Sequence, residues 1–259
     1  MYNIYDTTVE REHGQLLGYG GGIIGFFKKL IVECRKKGIA TSITITNSEI
    51  TEKLENAKTE TERHQILINA GIGIEALAKK AFLDLLSDFC IYMEQSIQNA
   101  KDFKPQVALT LARRPLIDDV FYLMLLLCDY HAALQLIYEN DSRKKDLRNL
   151  ITRDKELCRR CLEIIGGNSN ENLLFELRHG RHQNSIKASC DRAIHIATSN
   201  PTIRTHAGEL NFVFMSQETL DYHMKMYCKL IPATLIYVFG IVMRCQRSFL
   251  KYGLSQKNW

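Results

Sequence analysis

The chain has 259 residues, of which 46% are hydrophobic and 24% charged, and its formal net charge is +5. This composition is typical of a globular domain and excludes collagen-like, disordered and disulfide-scaffold chains. The modest basic excess favours a small anion-binding patch over a long nucleic-acid track.

The amino terminus and the cysteine content predict a cytoplasmic protein. The first residues, MYNIYDTTVEREHG, are polar and charged and lack the apolar core of a signal peptide. Eight cysteines are too few for a disulfide framework in a chain of this length, so we expect free thiols in a reducing compartment.

The first predicted helical region runs from about Arg11 to Lys37 and contains a glycine run, GYGGGIIG, over Gly18 to Gly25. This run lacks the residue order of a phosphate-binding loop, and no strand precedes it as a dinucleotide-binding fold requires. We therefore expect a break in the helix or tight packing against another helix.

Residues Ile39 to Thr46, IATSITIT, are β-branched and alternating, which predicts a short strand or an extended connection. Thr46 and Glu49 then have the spacing of a capping box, which predicts the start of the next helix.

Two long helices are predicted in the middle of the chain. The first covers Glu75 to Asn99, where apolar residues recur with helical spacing. The second begins with Pro115 in its first turn and runs to about Tyr138. It is apolar nearly all round, so it is expected to be the central helix.

Two apolar runs are candidates for membrane-spanning helices by their composition. Val120 to Tyr138 carries Asp129 and His131, and Leu230 to Met243 is too short to span a bilayer and contains Pro232. Buried core helices explain both runs, and we expect no stable membrane span.

The next predicted helix is capped by Asp141 or Ser142 and ends at Gly166–Gly167. Within it Cys158 and Cys161 form a C-x-x-C that, with the H-x-x-H of His179 and His182, resembles a zinc-ligand pattern. Zinc fingers place such cysteines on a turn, whereas these two lie on the apolar stripe of a helix. We therefore expect buried thiols and no metal.

A polar break near residues 166–172 precedes a helix predicted over Ser185 to Thr198, and Ser216 is expected to cap the last helix, which Pro232 should kink. Together these elements predict an all-α fold. The chain is expected to form a single helical-bundle domain over residues 1–259, with long central helices and at most short extended segments.

The segment from Glu176 to His206 is the strongest candidate site. It holds four of the eight histidines, and five Lys/Arg outnumber two acids. Arginine binds phosphate or carboxylate with a rigid fork, and histidine titrates near neutral pH. The residues predicted to bind an anionic ligand are Arg178, His179, Arg181, Arg192, Arg204 and His206.

In an enzymatic version of this site, His182 or His195 would act as a general base, with Asp191 orienting His195. The alternative is a charge ladder of Lys187, Asp191 and His195 on the surface of one helix. The cationic residues around Gly180 equally suit a helix carboxyl terminus.

The segment ALTLARRPLID, Ala108 to Asp118, followed by a long apolar helix, resembles an uncharacterised family of helical bacterial proteins. That family is associated with phage defence or toxins and with the HEPN helical bundles. The resemblance covers about Thr110 to Val242 and implies that Arg113 and Asp118 form its Arg–acid pair. HEPN ribonucleases carry an arginine and a histidine with four to six residues between them, a spacing that no arginine here has.

These observations predict a bacterial defence or stress protein that binds a nucleotide or RNA through the His/Arg segment, without a cofactor. The alternative is a non-enzymatic interaction module, docking a protein partner or a second copy, in which the segment is a structural polar network. A third hypothesis is a membrane-disrupting effector that uses Leu230 to Met243.

Overall fold

A computed structural model describes residues 7–37, 45–138, 147–167, 171–180, 185–194 and 216–250. All regular elements within these ranges are helical, which confirms the predicted all-α fold. The helices are α1 (Thr7–Lys36), α2 (Ser48–Asn56), α3 (Glu60–Asn69), α4 (Ile74–Lys101), α5 (Pro105–Arg114), α6 (Val120–Cys128), α7 (Tyr130–Tyr138), α8 (Leu147–Ile165), α9 (Glu171–His179), α10 (Ile186–Ile194) and α11 (Gln217–Leu250).

The described residues divide into two compact units. The first draws on Met1–Lys29, Ser87–Val120 and Ser169–Phe239, and the second on Leu30–Leu86, Phe121–Asn168 and Gly240–Trp259. The polar break predicted near 166–172 contains the point where the chain passes from the second unit to the first. The organisation as one domain stays a prediction.

The glycine run does not break α1, which is continuous through all of its glycines. The predicted break is therefore wrong, and the alternative, tight packing, is found at Gly20. A Cβ atom at Gly20 would lie 3.3 Å from the side chains of both Ile97 and Leu235. This distance shows how closely α1 approaches α4 and α11 within the first unit.

The start of α2 differs from the predicted capping box at Thr46. Asn47 is the cap, and its side-chain oxygen accepts hydrogen bonds from the backbone N–H groups of Glu49 and Ile50. The predicted strand falls almost entirely on residues 39–44, outside the described ranges.

Pro115 does not begin a helix, as had been expected from the sequence. Pro105 occupies the first turn of α5, and Pro115 follows inside the same helical run, where it opens a π-helical turn, Pro115–Asp119. The run then ends at Cys128, and the side chain of Asp129 caps α7 by accepting a hydrogen bond from Ala132 N. A proline lacks the N–H of a regular turn and crowds the preceding carbonyl, so a wider turn accommodates it.

The core of the first unit is aromatic and contains one buried polar chain. Phe27 contacts Phe89 and Phe239, with ring centroids 6.2 and 6.1 Å apart. Beside it the buried Ser96 Oγ donates to the carbonyl of Ala108 at 2.7 Å and lies 2.6 Å from Tyr227 Oη. Because the serine proton is committed to Ala108, the tyrosine hydroxyl donates to Ser96.

The second unit has its own apolar core, to which α8 contributes buried thiols. Cys158 and Cys161 are fully buried, which confirms that they occupy core positions rather than a turn. As predicted, α8 ends at the glycine pair: Gly166 has a φ of 73°, a conformation that favours glycine.

Within the described residues, one helical stretch, Gln217–Phe249, is long and apolar enough to cross a membrane. Its most apolar window is 56% buried inside the protein, and the core helix of a globular protein meets the same criterion. Pro232 lies inside α11, as expected.

Candidate functional site

The described part of the His/Arg segment consists of α9, α10 and their flanking residues, all in the first unit. Gly180 ends α9, and Ser185 begins α10 by accepting a hydrogen bond from Ala188 N at 3.0 Å. The Ser185 hydroxyl also donates to the carbonyl of Gly180 at 2.7 Å. One serine therefore ties the end of α9 to the start of α10 across residues 181–184.

Arg178 is the largest fully buried side chain among the described residues, with 0% exposure. Its guanidinium donates to the carbonyl of Leu116 at 3.3 Å and to that of Ile117 at 2.9 Å. Both carbonyls belong to the π-helical turn that Pro115 opens. Arg178 therefore holds an irregular backbone segment of its own chain, and phosphate binding at this residue stays a prediction.

Asp191 lies between two cations. It forms an ion pair with Lys187 and accepts a hydrogen bond from Arg113 Nε at 3.0 Å. Partial burial alone would raise the pKa of Asp191, but hydrogen bonds from Lys187 and Arg113 outweigh that cost and hold its pKa below the usual value. The predicted Lys187–Asp191 step of the charge ladder is confirmed.

The ion pair that Arg113 forms differs from the one that the resemblance implied. The Arg–acid pair was expected between Arg113 and Asp118, but Arg113 binds Asp191 and the Asp118 side chain is exposed. The acid that pairs with Arg113 therefore lies on α10 and not in the helical run of Arg113 itself.

Arg192 lies near a buried histidine that the sequence did not single out. His223 on α11 is 9% exposed, and burial, together with the charge of Arg192, lowers its pKa to about 4. Gln106 Nε2 lies 3.2 Å from His223 Nε2 and can only donate, so we assign the imidazole proton to Nδ1. His223 is a neutral structural acceptor near pH 7.

The sequence also did not single out a pair of carboxyl groups, Asp119 at the end of the π-helical turn and Asp88 on α4. Asp119 is 4% exposed, and burial, helped by neighbouring Asp88, raises its pKa to about 7. Asp88 pairs with Arg114 at 2.7 Å, and that guanidinium lies 5.1 Å from the ring centroid of Tyr92. The local sequence gives no signal for this pair, because Asp88 and Asp119 lie on different helical elements far apart in the chain.

The remaining predicted residues lie outside the described ranges: Arg181, His182, His195, Arg204 and His206. His179 is described, and its ring stands 5.4 Å from that of Phe175 in the last turn of α9. Whether the histidines converge on one cleft stays a prediction, as do the roles of His182 and His195 as bases.

In the described part of the chain, no group of three or more His, Cys, Asp and Glu side chains is placed to hold a metal ion. The C-x-x-C thiols belong to the second unit and His179 to the first, while His182 is not described.

A groove of about 550 Å³ lies between α2 and α3 in the second unit. Three of its lining residues, Glu49, Glu52 and Glu62, are acidic against the single cation Lys53. This charge disfavours an anionic ligand there.

No protein-family model, curated protein or solved structure matches this chain. The geometry of the site is therefore the basis on which a function is proposed.

Proposed function

We propose that this chain is a non-enzymatic interaction module in which the His/Arg segment forms a structural polar network. The burial of Arg178 carries the proposal. A guanidinium is costly to remove from water unless its donors are satisfied, and here they bind the carbonyls of Leu116 and Ile117. A side chain used in this way stabilises the fold, and its donors are not offered to a substrate.

The other described members of the segment support the same conclusion. Asp191 is already paired with Lys187 and Arg113, so its charge is compensated inside the chain. Ser185 joins two helix ends. The nearby histidine with a strongly shifted pKa, His223, is neutral near pH 7 and accepts a hydrogen bond from Gln106.

The proposal is tested by incubating the purified chain with RNA and nucleotides and measuring hydrolysis. We expect no turnover, and we expect His182→Ala and His195→Ala to leave that result and any cellular toxicity unchanged. Hydrolysis or toxicity that disappears in either variant, while the circular dichroism and melting temperature stay those of the wild type, would overturn the proposal.

A second candidate is binding of an anionic ligand, a nucleotide or RNA phosphate, and the surface around Asp191 favours it. The side chains of Arg113 and Lys187 are 38% and 36% exposed and converge on one carboxylate. Two cations around one acid leave one positive charge uncompensated. The acid occupies the position that a phosphate oxygen would take between the two cations.

Removing the Asp191 carboxylate distinguishes anion binding from a purely structural role of this surface. If the surface binds anions, Asp191→Asn should tighten binding of a labelled RNA or nucleotide, measured by fluorescence anisotropy at several salt concentrations. Asp118→Asn is the matched control, because it removes the same charge from an exposed position outside the cluster. Equal affinity in both variants and the wild type would exclude anion binding at this surface.

The bacterial defence or stress role implied by the resemblance is compatible with either candidate. A partner protein or a second copy of the chain is the proposed ligand of the interaction module, and a cytoplasmic location is part of the same proposal. A test of context is whether expression of the chain protects bacteria from phage infection or slows their growth. Unchanged plaque counts and unchanged growth would oppose a defence or toxin role.

A further inference from the structure

The second unit contains a thiol pair that the proposed function does not use. Cys128 is the last residue of α6, and its Sγ lies 3.3 Å from Sγ of Cys161 on α8. All eight cysteines of the chain are described and are free thiols. A disulfide has an S–S length of about 2.05 Å, so the two sulfurs need to approach by roughly 1 Å to bond.

The two thiols differ in exposure, and this difference determines which of them an oxidant reaches first. Cys128 is half-buried at a helix end, whereas Cys161 is completely buried. An oxidant in solution therefore meets Cys128 first. Cys161 lies behind it and can reach only groups inside the protein, the nearest sulfur being that of Cys128.

The surroundings also favour a thiolate at Cys128. A hydrogen bond from Cys161, helped by the nearby charge of Arg160, lowers the pKa of Cys128, although burial and Asp129 oppose this. The same contact and burial raise the pKa of Cys161 far above its usual value. Arg160 is fixed beside the pair by donating to the carbonyl of Cys128 at 2.8 Å.

We propose that Cys128 and Cys161 form a redox-active pair that is converted by peroxides into a reversible intramolecular disulfide. Cys128, which oxidants can reach, is the attacking cysteine, and Cys161, buried behind it at 3.3 Å, is the resolving cysteine. The bond would join the end of α6 to the carboxyl-terminal part of α8 within the second unit.

The chemistry balances in two steps. The Cys128 thiolate attacks one oxygen of hydrogen peroxide, the O–O bond breaks, and the leaving hydroxide takes a proton to become water, which leaves Cys128 as a sulfenic acid. The Cys161 sulfur then attacks the Cys128 sulfur, the S–O bond breaks, and hydroxide leaves as water with the Cys161 proton. Two thiols are oxidised by two electrons, and the peroxide is reduced to two waters.

The test is peroxide treatment of the intact, folded chain, followed by alkylation of the remaining thiols and peptide mass mapping. We expect a crosslinked peptide pair containing Cys128 and Cys161, with a mass lower by two hydrogens. Dithiothreitol should restore both thiols. Two alkylated cysteines at these positions after treatment, or a disulfide from Cys161 to Cys158 or Cys245 instead, would overturn the proposal.

Three variants assign the roles. Cys161→Ser should accumulate a sulfenic acid at Cys128 that dimedone traps, whereas Cys128→Ser should lose the disulfide and leave Cys161 reduced. Cys228→Ser is the matched control: its thiol is buried in the first unit, where burial raises its pKa to about 12, and its loss should leave the crosslink unchanged. A sulfenic acid trapped at Cys161 in the Cys128→Ser variant would reverse the assignment. The wild-type peptide map tests the proposal even if a variant misfolds.

Discussion

Charged side chains of similar kinds occupy very different environments in the two units. In the first unit, Arg178 contacts the π-helical turn and Asp119 is part of it, and both are buried, with exposures of 0% and 4%. On α8 of the second unit, Arg159 forms ion pairs with Glu156 and Glu163, and all three side chains are exposed. Both sets contain an arginine and an acidic residue, but the first set is buried and the second is exposed to water.

This difference shows which charges hold the fold. An exposed ion pair exchanges its partner for water at little cost, whereas a buried charge or carbonyl that loses its partner keeps the full cost of desolvation. The buried set lies at the π-helical turn opened by Pro115. We infer that Arg178 and Asp119 determine the shape of that turn and that the α8 pairs determine little.

The largest expected effect is that of Arg178→Met. The variant leaves the carbonyls of Leu116 and Ile117 without the guanidinium that donates to them, so the free energy of unfolding should fall by about 3 kcal/mol. A shift of the urea midpoint at unchanged slope measures it.

Arg159→Met is the matched control, because it removes an arginine that has two carboxylate partners at the surface. We expect no measurable change in its midpoint. Equal urea midpoints for the two variants would mean that a buried arginine contributes no more to stability than an exposed one, which would contradict this inference.

Asp119 should make stability depend on pH in a direction unusual for a carboxyl group. Burial and the neighbouring charge of Asp88 raise its pKa to about 7 in the folded protein, despite the opposing charge of Arg114. In an unfolded chain the value is about 3.9, so the folded state binds this proton more tightly. The resulting stabilisation is complete below about pH 4 and is lost as the pH rises through about 7.

The measurement is the free energy of unfolding of the wild type and of Asp119→Asn at pH 5 and pH 8. The wild type should lose about 2 kcal/mol more than the variant between these values. Asp118→Asn changes an exposed neighbour and should follow the wild type. A wild type and an Asp119→Asn variant with parallel pH profiles would show that Asp119 is ionised throughout.

Local patterns in the sequence were enough to predict the class of fold and several helix ends. The apolar stripe placed Cys158 and Cys161 in a core, and the glycine pair placed the end of α8 at Gly166. Both depend on residues within one or two helical turns. The i, i+4 spacing of Lys187 and Asp191 likewise gave a real ion pair.

The features that sequence reasoning missed all depend on residues far apart in the chain. Arg178 binds carbonyls more than 60 positions away, and its burial has no signature in the cationic sequence around it. Asp119 lies on the same buried face as Pro115 and Leu123. Its proximity to Asp88 on α4, however, has no local signature in the sequence. The candidate site stays a prediction, and the buried role of Arg178 was not visible in the sequence around it.

Deleting a buried hydrogen bond between uncharged groups should cost less stability than Arg178→Met and more than Arg159→Met. Tyr227 Oη donates to Ser96 Oγ at 2.6 Å, and neither atom carries a charge. Tyr227→Phe keeps the ring and deletes this bond, so we expect a loss of about 1 kcal/mol, measured by urea unfolding. Tyr19→Phe, at a position that is 72% exposed, should change nothing. A loss at Tyr227 as large as that of Arg178→Met would mean that burial alone, without charge, explains the first unit.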